Sequence, residues 1–382
     1  MEHPLSFAVK FEFLLAYVPC QEPTPYSFEK RNFRFPHHRF GTAEKCSCLD
    51  EPKYTSTQAR QIHQDAALQH ITTTLLKANI LGDGDRWISS KGKFENLQTW
   101  SIRRNDNARV IDNIDRKYSH FGVEISTPAF YYTQAALRHI EAFCQLMANT
   151  YLILTNPSCG MAITVGNGLQ GFKFFDVRNL AMLFWAYENQ FNSLVKNPRT
   201  HATWNPSMRD NSNLQANYQL SHQGRRATPA EGISQILRTR DLSELLLLIG
   251  HKDAKTHGDF NFSHFSHTDN TGKHEVKHSK WRERIEFRGQ VATFVCEEVV
   301  NCIEMWVGIV QFMLHDMRHQ QLRGIIGLAR TFETWEKLGD GQDAAREETY
   351  GPILAESKFN IIDLLQFCGL HRQARYYSDK WV

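Results

Sequence analysis

Four short runs with β character hold the residues best suited to chemistry. They carry Lys10 and Glu12 in "FAVKFEF", Glu124 and Ser126 in "FGVEIS", Ala162 and Thr164 in "GMAITVG", and Glu286 and Arg288 in "IEFRGQ". Side chains alternate across a strand, so Lys10 and Glu12 share a face, as do Gly122, Glu124 and Ser126, then Ala162, Thr164 and Gly166, then Glu286 and Arg288. If the four strands share a sheet, these faces would line one concave cleft. Arg288 offers a planar fork for a carboxylate or phosphate, and Glu286 is an acid that can hold the fork in place. Mg²⁺ asks instead for hard oxygen ligands in near-octahedral array, and the Lys10 ammonium is no ligand. A plainer reading stays open for each: solvated or salt-bridged carboxylates, Lys10 neutralising Glu12, and a structural Glu286–Arg288 pair.

Other groups suggest chemistry less directly. Six histidines lie between His251 and His278 without the spacing of a zinc protease or zinc finger, so an exposed polar loop is expected there and no metal site. Cys159 precedes a glycine turn with no base beside it in sequence, which favours a buried structural thiol over a nucleophile. "GDGDRW" at 82–87 lacks the ending of a phosphate loop. Lys273, Lys277, Lys280, Arg282 and Arg284, interleaved with aromatics, suit phosphate-backbone contact with base stacking, and suit a solvated rim equally.

The elements that must position these residues follow from periodicity. "LSFAVKFEFLLAY" alternates, with Phe7, Val9, Phe11 and Phe13 on one face, as a half-buried strand does. Residues 19–56 are rich in turn formers and read as an irregular excursion. "TSTQARQIHQDAALQHITTTLLKANI" has helical spacing after a Ser/Thr start. "WISSKGKFENLQTWSIRRND" and "HFGVEISTPAF" read as sheet and "TQAALRHIEAFCQLMANT" as helix. "FDVRNLAMLFWAYENQFNSLV" is an amphipathic helix, and "EGISQILRTRDLSELLLLIG" gives one or two more. Residues 297–382 form a mainly helical last third. The expectation is a single domain over 1–382 with an α+β fold: a mostly antiparallel central sheet flanked by helices.

Composition sets the outer bounds. In 382 residues, 41% are hydrophobic and 22% charged, enough for a large core. A net charge of +3 permits an anionic partner without requiring one. Lys10 and Glu12 interrupt the apolar opening where an export signal would be uncharged. No window of about 18 uncharged apolar residues suggests a membrane span. The eight cysteines are scattered, with Cys46 and Cys48 the only close pair, so reduced thiols and a cytoplasmic location are expected.

Seven blocks in order, "FAVKFEF", "WSIRRND", "FGVEISTPAF", "NPSCGMAITVGNG", "FDVRNLAMLFWAYENQ", "NFSHF" and "IEFRGQ" before a helix bearing Trp306, resemble the amidoligases, especially fungal ones. That resemblance implies a glutamine synthetase and glutamate-cysteine ligase-like fold. It implies amide synthesis in which ATP and Mg²⁺ form an acyl phosphate that an amine attacks. The family's blocks read G-x-E-x-E, D-S, G-V-E-L-x-S-P, C-G-x-H-x-H-x-G and E-F-R. Here Lys10 replaces the first glutamate, Asn105 and Asp106 stand near the D-S pair, and Ala162 and Thr164 replace the two histidines. Glu12, Glu124, Cys159, Gly160, Gly166, Glu286 and Arg288 remain.

The resemblance therefore implies Glu12, Glu124 and Glu286 as catalytic residues, binding a cationic group or taking a proton from the attacking ammonium. Lys10, Ser126, Thr164, Arg288 and Asn261 are expected to be substrate-binding residues. Three functions remain on the table. One is an amide-forming enzyme with no cofactor whose acyl donor arrives preactivated, an aminoacyl-tRNA for instance, giving a dipeptide or cyclodipeptide. Another is an ATP- and Mg²⁺-dependent ligase with a rebuilt metal site, and the third an inert binding scaffold. The partners are an amino-acid or aminoacyl substrate and, under the first reading, tRNA.

Overall fold

The computed structural model describes residues 4–18, 26, 28–31, 56–81, 99–110, 118–194, 207–251, 258–265, 267–268, 274–275, 283–316, 324 and 360–381. The chain divides into two compact units. One comprises Ser6–Ile163 and Gln290–Cys302, the other Met1–Leu5, Thr164–Gly289 and Ile303–Val382.

The first unit begins with β1 (Ser6–Tyr17), followed by α1 (Ser56–Lys77), β2 (Ser101–Arg104), β3 (Ser119–Ser126), β4 (Phe130–Tyr131), α2 (Gln134–Thr150) and β5 (Ile153–Leu154). The boundary passes through β6 (Gly160–Gly166). Alternation along β1 is as expected up to Phe13: Phe7, Val9, Phe11 and Phe13 are at most 1% exposed while Lys10 and Glu12 stay half-buried. From Phe13 to Tyr17 both faces are buried, so the polar-out pattern stops. Thr133 caps α2 by accepting from the Ala136 N–H, and Ala136, Leu137, Ile140, Phe143, Cys144 and Met147 form its buried stripe. Phe143 meets Phe11 at 5.3 Å between ring centroids and Trp100 at 5.0 Å. Phe294 stacks on Phe11 at 5.3 Å, so β1 is covered by aromatics on the face away from Glu12.

The second unit holds α3 (Phe174–Ser193), α4 (Met208–Asn211), α5 (Asn213–Ser221), α6 (Pro229–Leu237), α7 (Leu242–Ile249), β7 (Phe260–Asn261), β8 (His267–Thr268), β9 (His274–Glu275) and most of β10 (Arg284–Val291). Helix α8 (Cys296–Gln311) crosses back, and α9 (Ile361–Phe367) and α10 (His371–Trp381) follow. The run at 231–250 resolves into two helices because Asp241 caps a new start, accepting from the Glu244 N–H. Phe184 stacks on Phe260 at 4.5 Å and Phe287 on Trp306 at 4.2 Å, and Trp306 lies 5.2 Å from Phe191. Glu188, wholly buried in α3, accepts from Ser207 Oγ at 2.7 Å and from the Met208 and Arg209 N–H groups at 2.6 and 2.9 Å, closing the start of α4.

The strands make an eight-stranded sheet in the order β2-β3-β1-β6-β10-β7, with β4 and β5 also pairing β1. The ladders of β1 with β3, β4 and β5, of β2 with β3 and of β10 with β7 are all antiparallel. This is the α+β arrangement expected. The exposed polar loop expected over His251–His278 needs correction: Asp259, Phe260, Asn261, Phe262 and Phe265 are buried, because the three phenylalanines supply apolar surface that Phe184 and Phe172 cover. Among the described residues, no helix is long and apolar enough to cross a membrane.

Candidate active site

Register decides which polar residues meet in the first unit. β1 pairs with β3 so that Glu12 faces Glu124 and Lys10 faces Ser126, while β2 pairs with β3 so that Arg103 faces Glu124 and Ser101 faces Ser126. Directly opposed residues point to the same face, so Arg103, Glu124 and Glu12 form a row across three strands. Arg103 Nε donates to Glu124 Oε1 at 2.7 Å, and Nη2 contacts the same oxygen. Lys10 Nζ lies 3.9 Å from Glu12 Oε1, and the Gly160 N–H donates to Glu12 Oε2 at 3.1 Å.

Two opposed carboxylates would repel, and the two cations offset them, leaving the quartet with no net formal charge. Glu124 is 7% exposed, and this burial pushes its pKa above the ordinary value. Lys10 and Arg103 pull it down and Glu12 pushes it up, but the loss of water dominates. Arg103 spends both contacts on Oε1, so among the described residues Oε2 of Glu124 carries no hydrogen bond.

The quartet fits Mg²⁺ poorly. Each carboxylate already has a cation against it, and a dication would have to displace an ammonium or a guanidinium. Among the described residues, no group of three or more His, Cys, Asp or Glu is placed to hold a metal ion.

A second cluster lies within the other unit. β10 pairs with β7 so that Glu286 faces Asn261. Asn261 Oδ1 accepts from the Ser263 N–H at 2.9 Å, which turns Nδ2 toward Glu286 Oε2 at 2.8 Å. His264 Nε2 stands 3.7 Å and Arg288 Nε 4.0 Å from that same oxygen. Glu286 is thus surrounded by donors, as an acid that positions its neighbours would be.

The remaining expected residues are placed as follows. Ser126 is half-buried opposite Lys10, Ala162 is buried and Thr164 half-buried on β6. Arg284 opens β10 and is half-buried, while Lys273, Lys277, Lys280 and Arg282 lie outside the described residues, as does the 82–87 turn. Cys159 is buried, in keeping with a structural thiol. Two residues escaped the sequence reading: Arg103, whose role depends on the β2–β3 register, and His264, hidden in a stretch read as loop. The period of "SIRR" would have put Arg103 on the Ser101 face, but nothing local says which carboxylate it meets.

A sequence model of the family described as "putative amidoligase enzyme" matches residues 50–310 of the 382. The chain belongs to this amidoligase family. No curated protein and no solved structure gave a significant match. The family's name is that of an amide-bond-forming ligase. The matched span takes in Arg103, Glu124, Asn261, Glu286 and Arg288, whereas Lys10 and Glu12 precede it on β1.

Proposed function

We propose that this amidoligase joins an acyl group to an amine by aminolysis of a donor that arrives already activated, and that Glu124 is the general base. The supporting observation is the row Arg103–Glu124–Glu12–Lys10, in which the carboxylates are compensated by side-chain cations in place of a metal. Glu124 combines burial, a raised pKa and an open Oε2, the properties of a general base. It takes a proton from the substrate ammonium. The freed nitrogen then attacks the ester carbonyl carbon, the C–N bond forms, and the C–O bond to the leaving alcohol breaks. The second proton shed by nitrogen ends on that alcohol oxygen.

Glu12, held by the Gly160 N–H, orients the ammonium. Aminoacyl-tRNA is the intracellular ester of the required reactivity, and its ribose hydroxyl is the leaving group. The product would be a dipeptide or its cyclised form, and the reaction would belong in the cytoplasm, where aminoacyl-tRNA is made.

The test is a reconstituted mixture of the purified protein, an aminoacyl-tRNA synthetase, tRNA, amino acids and ATP, read by mass spectrometry of small products. Product should depend on intact tRNA, and preformed aminoacyl-tRNA should replace both synthetase and ATP. Undiminished product after complete tRNA digestion, with ATP consumed in proportion, would overturn the preactivated donor in favour of an ATP-dependent ligase.

A further inference from the structure

One step along the same ladder from Glu12 and Glu124, the pair Leu14 and Gly122 lines a cavity of about 430 Å³ that lies wholly within the first unit. Two residues of a strand advance roughly 7 Å, so the cavity adjoins the carboxylate row on the same face. Its walls come from α1 through Gln64, from the end of β2 through Arg104, from the segment after it through Asn105 and Arg109, and from β3 through His120. Gly122 is what admits the 105–108 segment: a Cβ there would overlap the Asn105 carbonyl oxygen and come within 2.9 Å of Ala108 Cβ.

Among the described residues, Gln64 Oε1 and Asn105 Nδ2 in this wall make no hydrogen bond. Gln64 is 4% exposed and Asn105 6%. The Asn105 orientation is fixed, because Oδ1 accepts from the Asn107 N–H at 2.9 Å and the backbone N–H donates to Gly122 O at 2.9 Å. Leaving a buried donor or acceptor unmade costs about 1–3 kcal/mol each. A ligand that brings one donor and one acceptor removes both costs. The ionic surroundings narrow its identity: Arg104, Arg109 and Asp106 line the cavity with one more cation than anion, and Arg104 Nη2 reaches Asp106 Oδ1 at 3.3 Å.

We infer that this cavity binds an α-amino acid, with its carboxylate taken by Asn105 Nδ2 and a guanidinium and its ammonium donating to Gln64 Oε1. The size suits a ligand of that kind, since small-molecule pockets start near 300 Å³. The further assignment of this amino acid as the amine substrate, held one strand step from Glu124, rests on the amide-forming reading above.

The experiment is titration calorimetry on the full-length protein without acyl donor or ATP. The probes are the free amino acids, their decarboxylated amines and inorganic phosphate. At least one amino acid should bind stoichiometrically, and its decarboxylated amine should bind at least about tenfold more weakly. Gln64→Leu and Asn105→Leu should each weaken binding by about 5- to 100-fold, the range that 1–3 kcal/mol implies at 1.4 kcal/mol per tenfold. Ala108→Trp, which fills the cavity, should abolish binding while the folded circular dichroism spectrum persists. Absence of amino-acid binding to the folded wild type, equal binding of the decarboxylated amine, or binding of phosphate alone would each overturn the inference. Because no acyl donor is present, failure here leaves amide formation standing, whereas binding without product from any donor sinks only the amide-forming reading.

Discussion

Glu12 and Glu124 face each other across the β1–β3 ladder, and each carries its own cation, Lys10 for the first and Arg103 for the second. Directly opposed like charges weaken a sheet unless something compensates them, so the two cations are part of what lets these strands pair in this register.

Removing one cation should expose that dependence. Arg103→Met leaves Glu124 buried with its strong partner gone and should destabilise the protein by about 1–3 kcal/mol, the cost of an unmade buried polar contact. Glu124→Gln in the same chain should recover part of the loss, because the neutral amide needs no counter-charge. Denaturant unfolding of the two single variants and the double variant measures the coupling, and strict additivity would show that the contact carries no energy.

The raised pKa of Glu124 has a definite signature in pH. The folded protein holds this proton more tightly than the unfolded chain does, so the stabilisation is full below the ordinary value of 4.5 and is lost as pH climbs through the raised folded value. Glu124→Gln removes that loss. The Tm of the Gln variant relative to wild type should therefore rise from pH 4.5 upward and then level off. A difference that is flat or falls with pH would contradict a buried carboxylate of this kind. Turnover of the wild type, by contrast, should increase through the same window as the base deprotonates.

Gly232 in α6 faces the indole of Trp185, and a Cβ at that position would land on the ring. Helix propensity alone would make Gly232→Ala stabilising by about 1 kcal/mol. The clash should reverse the sign, giving a net loss of about 1–3 kcal/mol as overpacked cores do. Thermal unfolding of this single variant decides between the two effects.

Gly122→Ala tests the cavity wall by the same logic. The added methyl must push the 105–108 segment off β3, so amino-acid affinity should fall by at least about tenfold, an effect a methyl on the open face of a strand would not produce. Calorimetry and unfolding on one preparation separate the loss of the wall from a loss of fold.

Sequence reading reached the elements more readily than the contacts between them. β1 was legible because Phe7, Val9, Phe11 and Phe13 alternate with polar residues, and α2 because its apolar stripe follows a Thr cap. Glu12, Glu124 and Glu286 stood out through their blocks, and strand period alone put each on its face. Arg103 did not, since its meaning is a register across β2 and β3 that no local pattern encodes. Gln64 was invisible for a similar reason: it belongs to a helix, and only tertiary packing brings it to the wall shared with Asn105. The His-rich stretch misled because its histidines outweighed Phe260, Phe262 and Phe265 in a reading by polarity, although those three rings and the neighbouring Asp259 and Asn261 are buried.

The place of β1 in the strand order bears on how the protein can be divided. It lies between β3 and β6, and its residues 6–17 precede the span that marks the family. A fragment trimmed to residues 50–310 would lose an interior rung of its sheet and leave β3 and β6 each with a raw row of amides and carbonyls, the kind of edge that recruits strands from other molecules. Such a fragment should precipitate or pair with itself, and a separately supplied peptide spanning 4–18 should restore its solubility by occupying the gap.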